Sequence, residues 1–341
     1  MRNACRLLLA ASAAHVFGCG DDTATDAAMP DAQADVEVGR LPPGQHDFMI
    51  DFDGHARSYR VHVPEGLPSD ESAALVLSIH GGSAEMNQQQ LFSGFDAVAD
   101  ARGFVVVYPS SHNNFWDAGA CCYLDNDLGG SESDDVRFFR ELIDEVSGRI
   151  PIDERRIYAT GMSTGGYMSY RLACEAADVI AAVAPVAGGL ALDASDCLPS
   201  RPVAVMTVAG TGDLLVAYDA DPAEPGWWTD PGVPVLSPQQ SVDTFAKLDG
   251  CSGQPDAPTD KADWPDAPVS GTLVPGSGLM TGPLAGLDFV QAPQTPGAAC
   301  AFYTQCEGDV AVGLCTHDGG HDWPTGTSTA IWEFFERHPM P

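Results

Sequence analysis

Apolar residues along the chain form short continuous runs that alternate with stretches of helical spacing. The predicted strands are Arg57–Val63, Ala74–Ile79, Phe104–Tyr108, Arg156–Thr160, Ile180–Val186, Val203–Val208 and Val310–Cys315. The predicted helices are Asp134–Val146, Gly165–Cys174, Pro238–Leu248 and Thr329–Arg337. Because strands and helices alternate, the sequence predicts a doubly wound, mostly parallel α/β sheet with helices on both faces.

The first 44 residues differ from the rest of the chain. Arg2 and Arg6 precede an apolar run over residues 7–14, which predicts an export signal over residues 1–19. The run is too short to span a bilayer. Residues 20–44 are rich in Asp and Ala, a composition that favours a solvated tether over a packed core. We therefore expect a single α/β domain to occupy residues 45–341.

Residues 16–19, Val-Phe-Gly-Cys, resemble a bacterial lipobox. In that interpretation Cys19 becomes the lipidated first residue of the mature protein, and its lipid is the membrane anchor. The alternative is ordinary cleavage and release of a soluble protein. Both interpretations place the protein outside the cytoplasm, in the cell envelope or the medium.

The net charge of −32 makes the surface acidic. Such a surface repels polyphosphates, so a nucleic-acid partner is not expected. An acidic surface also favours solubility, so the charge alone does not indicate a binding partner. We expect a monomer.

Eight cysteines lie beyond the predicted export signal, an even number that predicts disulfides in an exported chain. Proximity favours Cys174 with Cys197, and pairs among the last four: Cys251, Cys300, Cys306 and Cys315. No CxxC pair and no His/Cys cluster at zinc spacing is present, so no metal site is expected. The Pro-, Gly- and Asp-rich segment 249–298 predicts surface excursions on the same domain.

Residues 161–165, Gly-Met-Ser-Thr-Gly, match G-x-S-x-G between a predicted strand and a predicted helix. In a chain with 36 Gly, the match alone is as consistent with a chance Gly-rich turn as with a nucleophile motif. Its position favours a nucleophile, because the sharp turn projects the Ser163 oxygen above the sheet, as in α/β-hydrolases. A serine hydroxyl is a weak nucleophile and needs a base, which a carboxylate must orient.

Both partners are available in the expected order of Ser, acid and His. Asp213 follows the strand that ends at Val208, and His321 follows the strand that ends near Cys315. Asp213 also suits a structural turn, and His317 competes with His321 for the role of base. The weaker alternatives to Asp213 are Asp193, Asp196 and Asp219.

The oxyanion of an acyl-transfer reaction needs preorganised N–H donors. Thr164, which follows the nucleophile, is expected to supply one backbone N–H. The other is expected from the loop His80-Gly81-Gly82-Ser83, from Gly82 or alternatively from Ser83. We expect His80 to shape that turn and not to transfer protons.

These residues together resemble the polyhydroxybutyrate-depolymerase-type esterases, which include feruloyl esterases. The resemblance covers residues 45–338. Its landmarks are residues 80–82, 116–122, 134–136, 161–174, 210–218, 249–251, 319–324 and 331–335. It implies an α/β-hydrolase fold, the catalytic residues Ser163, Asp213 and His321, no cofactor, and an acyl-enzyme mechanism. Ala209 stands where the family often has His, and an insertion-like stretch follows Tyr218.

The expected substrates are feruloyl or acetyl esters, on polysaccharides or small molecules, and short hydroxyalkanoate esters. Trp323, Trp116 and Trp227 are candidates to line an aromatic substrate cleft, although each also suits packing. Two other functions remain open. One is a secreted serine peptidase of the same fold, and the other is a surface lipoprotein that binds without catalysis.

Overall fold

The computed structural model describes residues 41–67, 71–122, 134–218, 235–252, 259–260 and 299–341. The predicted export signal, Cys19, residues 20–40 of the tether and Trp227 lie outside the described residues.

The strands that the structure describes belong to one mixed sheet. They are β1 Gly44–Phe52, β2 His55–Val63, β3 Ala73–Ile79, β4 Val105–Pro109, β5 Ile152–Met162, β6 Ala182–Val186, β7 Ala204–Gly210, β8 Thr259–Asp260, β9 Ala299–Tyr303 and β10 Val312–His317. Their order across the sheet is β1-β2-β4-β3-β5-β6-β7-β10-β9-β8. The six strands from β4 to β10 in that order are parallel, and the outer strands pair antiparallel.

Helices lie between the parallel strands along the chain, and the last helix follows β10. They are α1 Met86–Ser93, α2 Phe95–Arg102, α3 Asp135–Ser147, α4 Thr164–Glu175, α5 Pro238–Leu248 and α6 Thr327–Glu336. The predicted doubly wound α/β fold is confirmed, and each predicted strand and helix exists within a few residues of its predicted bounds.

The core lies on both faces of the sheet. Along β3, Leu75, Leu77 and Ile79 pack with α3 and α4 in one apolar cluster. The alternate residues Ala74 and Val76 pack in a second cluster, with α2 and α6. Every β3 side chain is buried and all but Ser78 are apolar, which is typical of a central parallel strand.

The β1–β2 hairpin was not predicted from the sequence. β1 is the polar strand GQHDFMIDF, and its residues alternate between exposed and partly buried. The turn is Asp53-Gly54, and both residues have positive φ, of 54° and 78°. Asp-Gly at a two-residue turn is a strong hairpin signal, so the sequence did contain the information.

Four disulfides join the eight cysteines of the described residues. Cys174–Cys197 is confirmed, and the last four cysteines pair as Cys251–Cys306 and Cys300–Cys315. The fourth disulfide joins the neighbours Cys121 and Cys122. Among the helices that the structure describes, none is both long and apolar enough to cross a membrane.

Candidate active site

Ser163 lies at a sharp turn between β5 and α4. Its backbone has φ 56° and ψ −118°, a conformation that non-glycine residues rarely adopt. The flanking glycines permit the turn: a Cβ on Gly161 would lie 2.6 Å from the Ile79 carbonyl oxygen, and one on Gly165 would lie 2.7 Å from the His80 oxygen. The G-x-S-x-G spacing is therefore a steric requirement of the close approach between this turn and the end of β3.

Hydrogen bonds between loop residues align the carboxyl ends of four strands. Ser163 N–H donates to the Val186 oxygen at the end of β6 over 2.9 Å, and Ala187 N–H donates to the Val208 oxygen of β7 over 2.8 Å. Thr211 N–H, after β7, donates to the His317 oxygen at the end of β10 over 2.9 Å. The loops that carry Ser163, Asp213 and His321 therefore lie along the same edge of the sheet.

Asp213 and His321 are in direct contact. His321 Nδ1 lies 2.8 Å from Asp213 Oδ2. Asp213 is 5% exposed, and its other carboxylate oxygen accepts the N–H groups of Leu215 and Val216 over 2.8 and 2.9 Å. The carboxylate is thus held by its own loop through Oδ1, and Oδ2 faces the His321 imidazole.

The loop of His321 is held against the loop of Asp213 through His317. The His317 oxygen accepts from Thr211, and the Gly319 oxygen accepts from Gly212 N–H over 2.9 Å. Gly319 N–H donates to His317 Nδ1 over 3.1 Å, and Asp322 Oδ1 lies 3.4 Å from His317 Nε2. His317 is 2% exposed, so its buried side chain stabilises the loop through the hydrogen bond from Gly319.

Asp322 is a second carboxyl group beside the His321–Asp213 pair, and it was not predicted from the sequence. Its partial burial and the charge of Asp213 raise its pKa, while the charges of His317 and His321 oppose that rise. Its position directly after His321 in the sequence was a signal, but which imidazole it faces depends on the loop conformation.

The two candidate N–H donors lie close together. A Cβ on Gly82 would lie 3.1 Å from Thr164 Cγ2, and one on Gly81 would lie 3.4 Å from Ser163 Cβ. Thr164 is the first residue of α4, where the backbone N–H has no partner within the helix. Ser83 N–H donates to the Asn114 oxygen over 2.9 Å, so Ser83 is a poorer candidate than Gly82.

The aromatic candidates occupy buried positions. Trp116 is 1% exposed, packs on Phe139 and donates its indole N–H to the His80 oxygen over 2.9 Å. The expectation that Trp116 lines an open cleft is thereby corrected, because its ring belongs to the core. Trp323 is 8% exposed and donates to Ser328 Oγ over 3.0 Å, so most of its ring also packs internally.

No group of three or more His, Cys, Asp or Glu residues in the described part of the chain is placed to hold a metal ion.

A mostly parallel sheet, a serine at a positive-φ turn between strand and helix, and a His–Asp contact on loops after later strands together define an α/β-hydrolase. The family model described as "Esterase PHB depolymerase" matches residues 57–250. The chain belongs to this esterase family.

Curated relatives and solved structures that are similar to the chain include the following three proteins. "Feruloyl esterase B" of Piromyces equi is 29% identical over 294 residues, which are 84% of this chain and 46% of that protein. "Putative esterase NocK" of Nocardia uniformis subsp. tsuyamanensis is 30% identical over 342 residues, covering 96% of this chain and 90% of the relative. The acetyl xylan esterase from Aspergillus awamori shares the fold, with a TM-score of 0.54 and 13% identity over 86% of this chain and 99% of its own. The chain thus spans less than half of the Piromyces protein.

Proposed function

We propose that the protein is an exported serine esterase that hydrolyses carboxylic esters through an acyl-enzyme on Ser163. The single observation that carries this proposal is the 2.8 Å contact between His321 and Asp213 at the sheet edge where Ser163 occupies its sharp turn. Membership of an esterase family supports the same reaction.

The first half of the reaction forms the acyl-enzyme. An ionised Asp213 can only accept, so the Nδ1 proton of His321 faces it, and Nε2 is left as the basic nitrogen. Nε2 takes the Ser163 proton while the serine oxygen attacks the ester carbonyl carbon. The N–H groups of Thr164 and Gly82 stabilise the oxyanion. When the tetrahedral intermediate collapses, the C–O bond to the alcohol breaks, and His321 protonates the departing alkoxide.

The second half releases the acid. A water molecule gives a proton to His321 Nε2 and attacks the acyl carbon, and the proton returns to Ser163 as the acyl bond breaks. The reaction therefore consumes one ester and one water and yields one alcohol and one carboxylic acid. Each proton transfer uses His321 alone.

The proposed substrates are feruloyl esters, acetyl esters and short hydroxyalkanoate esters. Names of relatives motivate the choice: one is a feruloyl esterase, and the family description refers to a PHB depolymerase. The four disulfides support an exported protein, because such bonds persist in oxidising compartments. Lipid on Cys19 and a signal over residues 1–19 remain part of the proposal.

The test is hydrolysis of p-nitrophenyl acetate, p-nitrophenyl butyrate, methyl ferulate and a hydroxybutyrate trimer, with Ser163→Ala as control. We expect turnover of at least one ester by the wild type and its loss in the variant. A peptide anilide in the same panel addresses the peptidase alternative. Wild-type turnover of the anilide alone, or of none of the panel, would contradict the proposal.

A further inference from the structure

His80 is a buried histidine whose hydrogen bonds define its tautomer. It is 1% exposed, and its Nε2 lies 3.0 Å from the backbone N of Ser111. A backbone N–H can only donate, so Nε2 accepts and the proton resides on Nδ1. Nδ1 therefore donates to the Gly81 oxygen, 2.7 Å away. Burial lowers the pKa of His80 to about 4, so the imidazole stays neutral in neutral solution.

The Gly81 carbonyl is held from two sides. Besides the His80 imidazole, Ala84 N–H donates to the same oxygen over 3.2 Å. The peptide unit between Gly81 and Gly82 is planar, and in the trans form its C=O and N–H point in opposite directions. Fixing the Gly81 carbonyl therefore also fixes the direction of the Gly82 N–H.

The same peptide unit borders the nucleophile. A Cβ added to Gly81 would lie 3.4 Å from Ser163 Cβ. One added to Gly82 would lie 3.1 Å from Thr164 Cγ2. Across the described residues the Gly82 N–H has no hydrogen-bond partner, whereas the Ser83 N–H is taken up by Asn114. The Gly82 N–H thus remains available as a donor beside Ser163.

We infer that His80 is a positioning residue: its Nδ1–H locks the Gly81–Gly82 peptide so that the Gly82 N–H is preorganised for the oxyanion formed at Ser163. The inference rests on the proposed function, since that oxyanion exists only in acyl transfer. His80 takes no proton from the substrate. Its effect is confined to the transition state, because the ester carbonyl carries little charge before attack.

Two substitutions separate the two nitrogens of the imidazole. In His80→Asn the side-chain NH₂ replaces Nδ1 and can still donate to the Gly81 oxygen. In His80→Gln the amide oxygen replaces Nε2 and can still accept from Ser111, but the bond to Gly81 is lost. The pair is therefore matched in polarity and differs in the one hydrogen bond that the inference concerns.

We expect His80→Gln to lower kcat by about 10- to 100-fold with KM within about twofold of the wild type. His80→Asn should retain kcat within about threefold. Inhibition by phenylboronic acid, whose serine adduct places a hydroxyl in the oxyanion site, should weaken by the same factor as kcat. Equal kcat in His80→Gln and the wild type would overturn the inference, as would losses in both variants that simply follow thermal stability.

A wild-type measurement covers the case in which a variant does not fold. The ¹⁵N chemical shifts of His80 in histidine-labelled protein should show protonated Nδ1 and unprotonated Nε2 at neutral pH. Protonated Nε2 would overturn the inference. An inactive wild type would instead refute the proposed esterase, so the two failures are distinguishable.

Discussion

His321 Nδ1 and Asp213 Oδ2 are 2.8 Å apart, although 107 residues lie between them in the sequence. Because the carboxylate fixes the imidazole orientation, we expect Asp213→Asn to lower kcat by about 10²- to 10⁴-fold with a small change in KM. Steady-state kinetics on p-nitrophenyl acetate measure this.

Asp322→Asn is the matched control for that substitution. Asp322 lies next to His321 in the sequence, but its carboxylate is 3.4 Å from His317. Its loss should therefore cost less than about tenfold in kcat. If Asp322→Asn were as damaging as Asp213→Asn, the assignment of the orienting acid to Asp213 would be wrong.

Asp249 should make stability depend on pH. Its residue is fully buried, Oδ1 accepts from Val203 N–H over 3.3 Å, and Oδ2 has no hydrogen-bond partner in the described part of the chain. Burial raises its pKa to about 7 in spite of the charge of Arg201. The folded state then binds the proton more tightly than the unfolded state, so this contribution is fully present below pH 4 and is lost as pH rises to about 7.

The measurement is the free energy of unfolding of the wild type and Asp249→Asn by urea denaturation at pH 5 and pH 8. Asn cannot ionise, so we expect the variant to gain about 2–3 kcal/mol relative to the wild type between these two pH values. A difference that is independent of pH would show that Asp249 is not protonated in the folded protein.

Gly165→Ala should destabilise the fold by about 1–3 kcal/mol or more, because the new Cβ would meet the backbone of Ile79 and His80, which cannot move independently. Gly148→Ala is the control, since a Cβ there would make ordinary contacts of 3.5 Å and the residue has helical φ and ψ. Thermal melts of the two variants compare them. Equal melting temperatures would refute the steric account of the second glycine in G-x-S-x-G.

The Cys300–Cys315 disulfide joins directly opposed residues of β9 and β10. Replacing both cysteines by Ala should lower the free energy of unfolding by about 3 kcal/mol, the chain-entropy value for a loop of roughly 15 residues. Urea denaturation measures the loss. An unchanged midpoint would show that the sheet at this edge is stable without the covalent bond.

The central parallel strands and the turn at Ser163 between a strand and a helix were predictable, because apolar runs and a Gly-flanked serine are local signals. The roles of Trp116 and Asp322 were not. Whether an indole faces a cleft or the core, and which of two imidazoles a carboxylate meets, depends on how distant loops pack together. The hairpin at Asp53-Gly54 was missed although its turn signal was present, because the polar strand β1 lacks an apolar run.

The most direct test of the account is covalent labelling of the wild type with a fluorophosphonate, followed by peptide mapping. We predict a stoichiometric adduct on Ser163, which forms more slowly in Asp213→Asn and is absent in Ser163→Ala. An adduct on another residue, or ester hydrolysis that persists in an unlabelled Ser163→Ala protein, would contradict it.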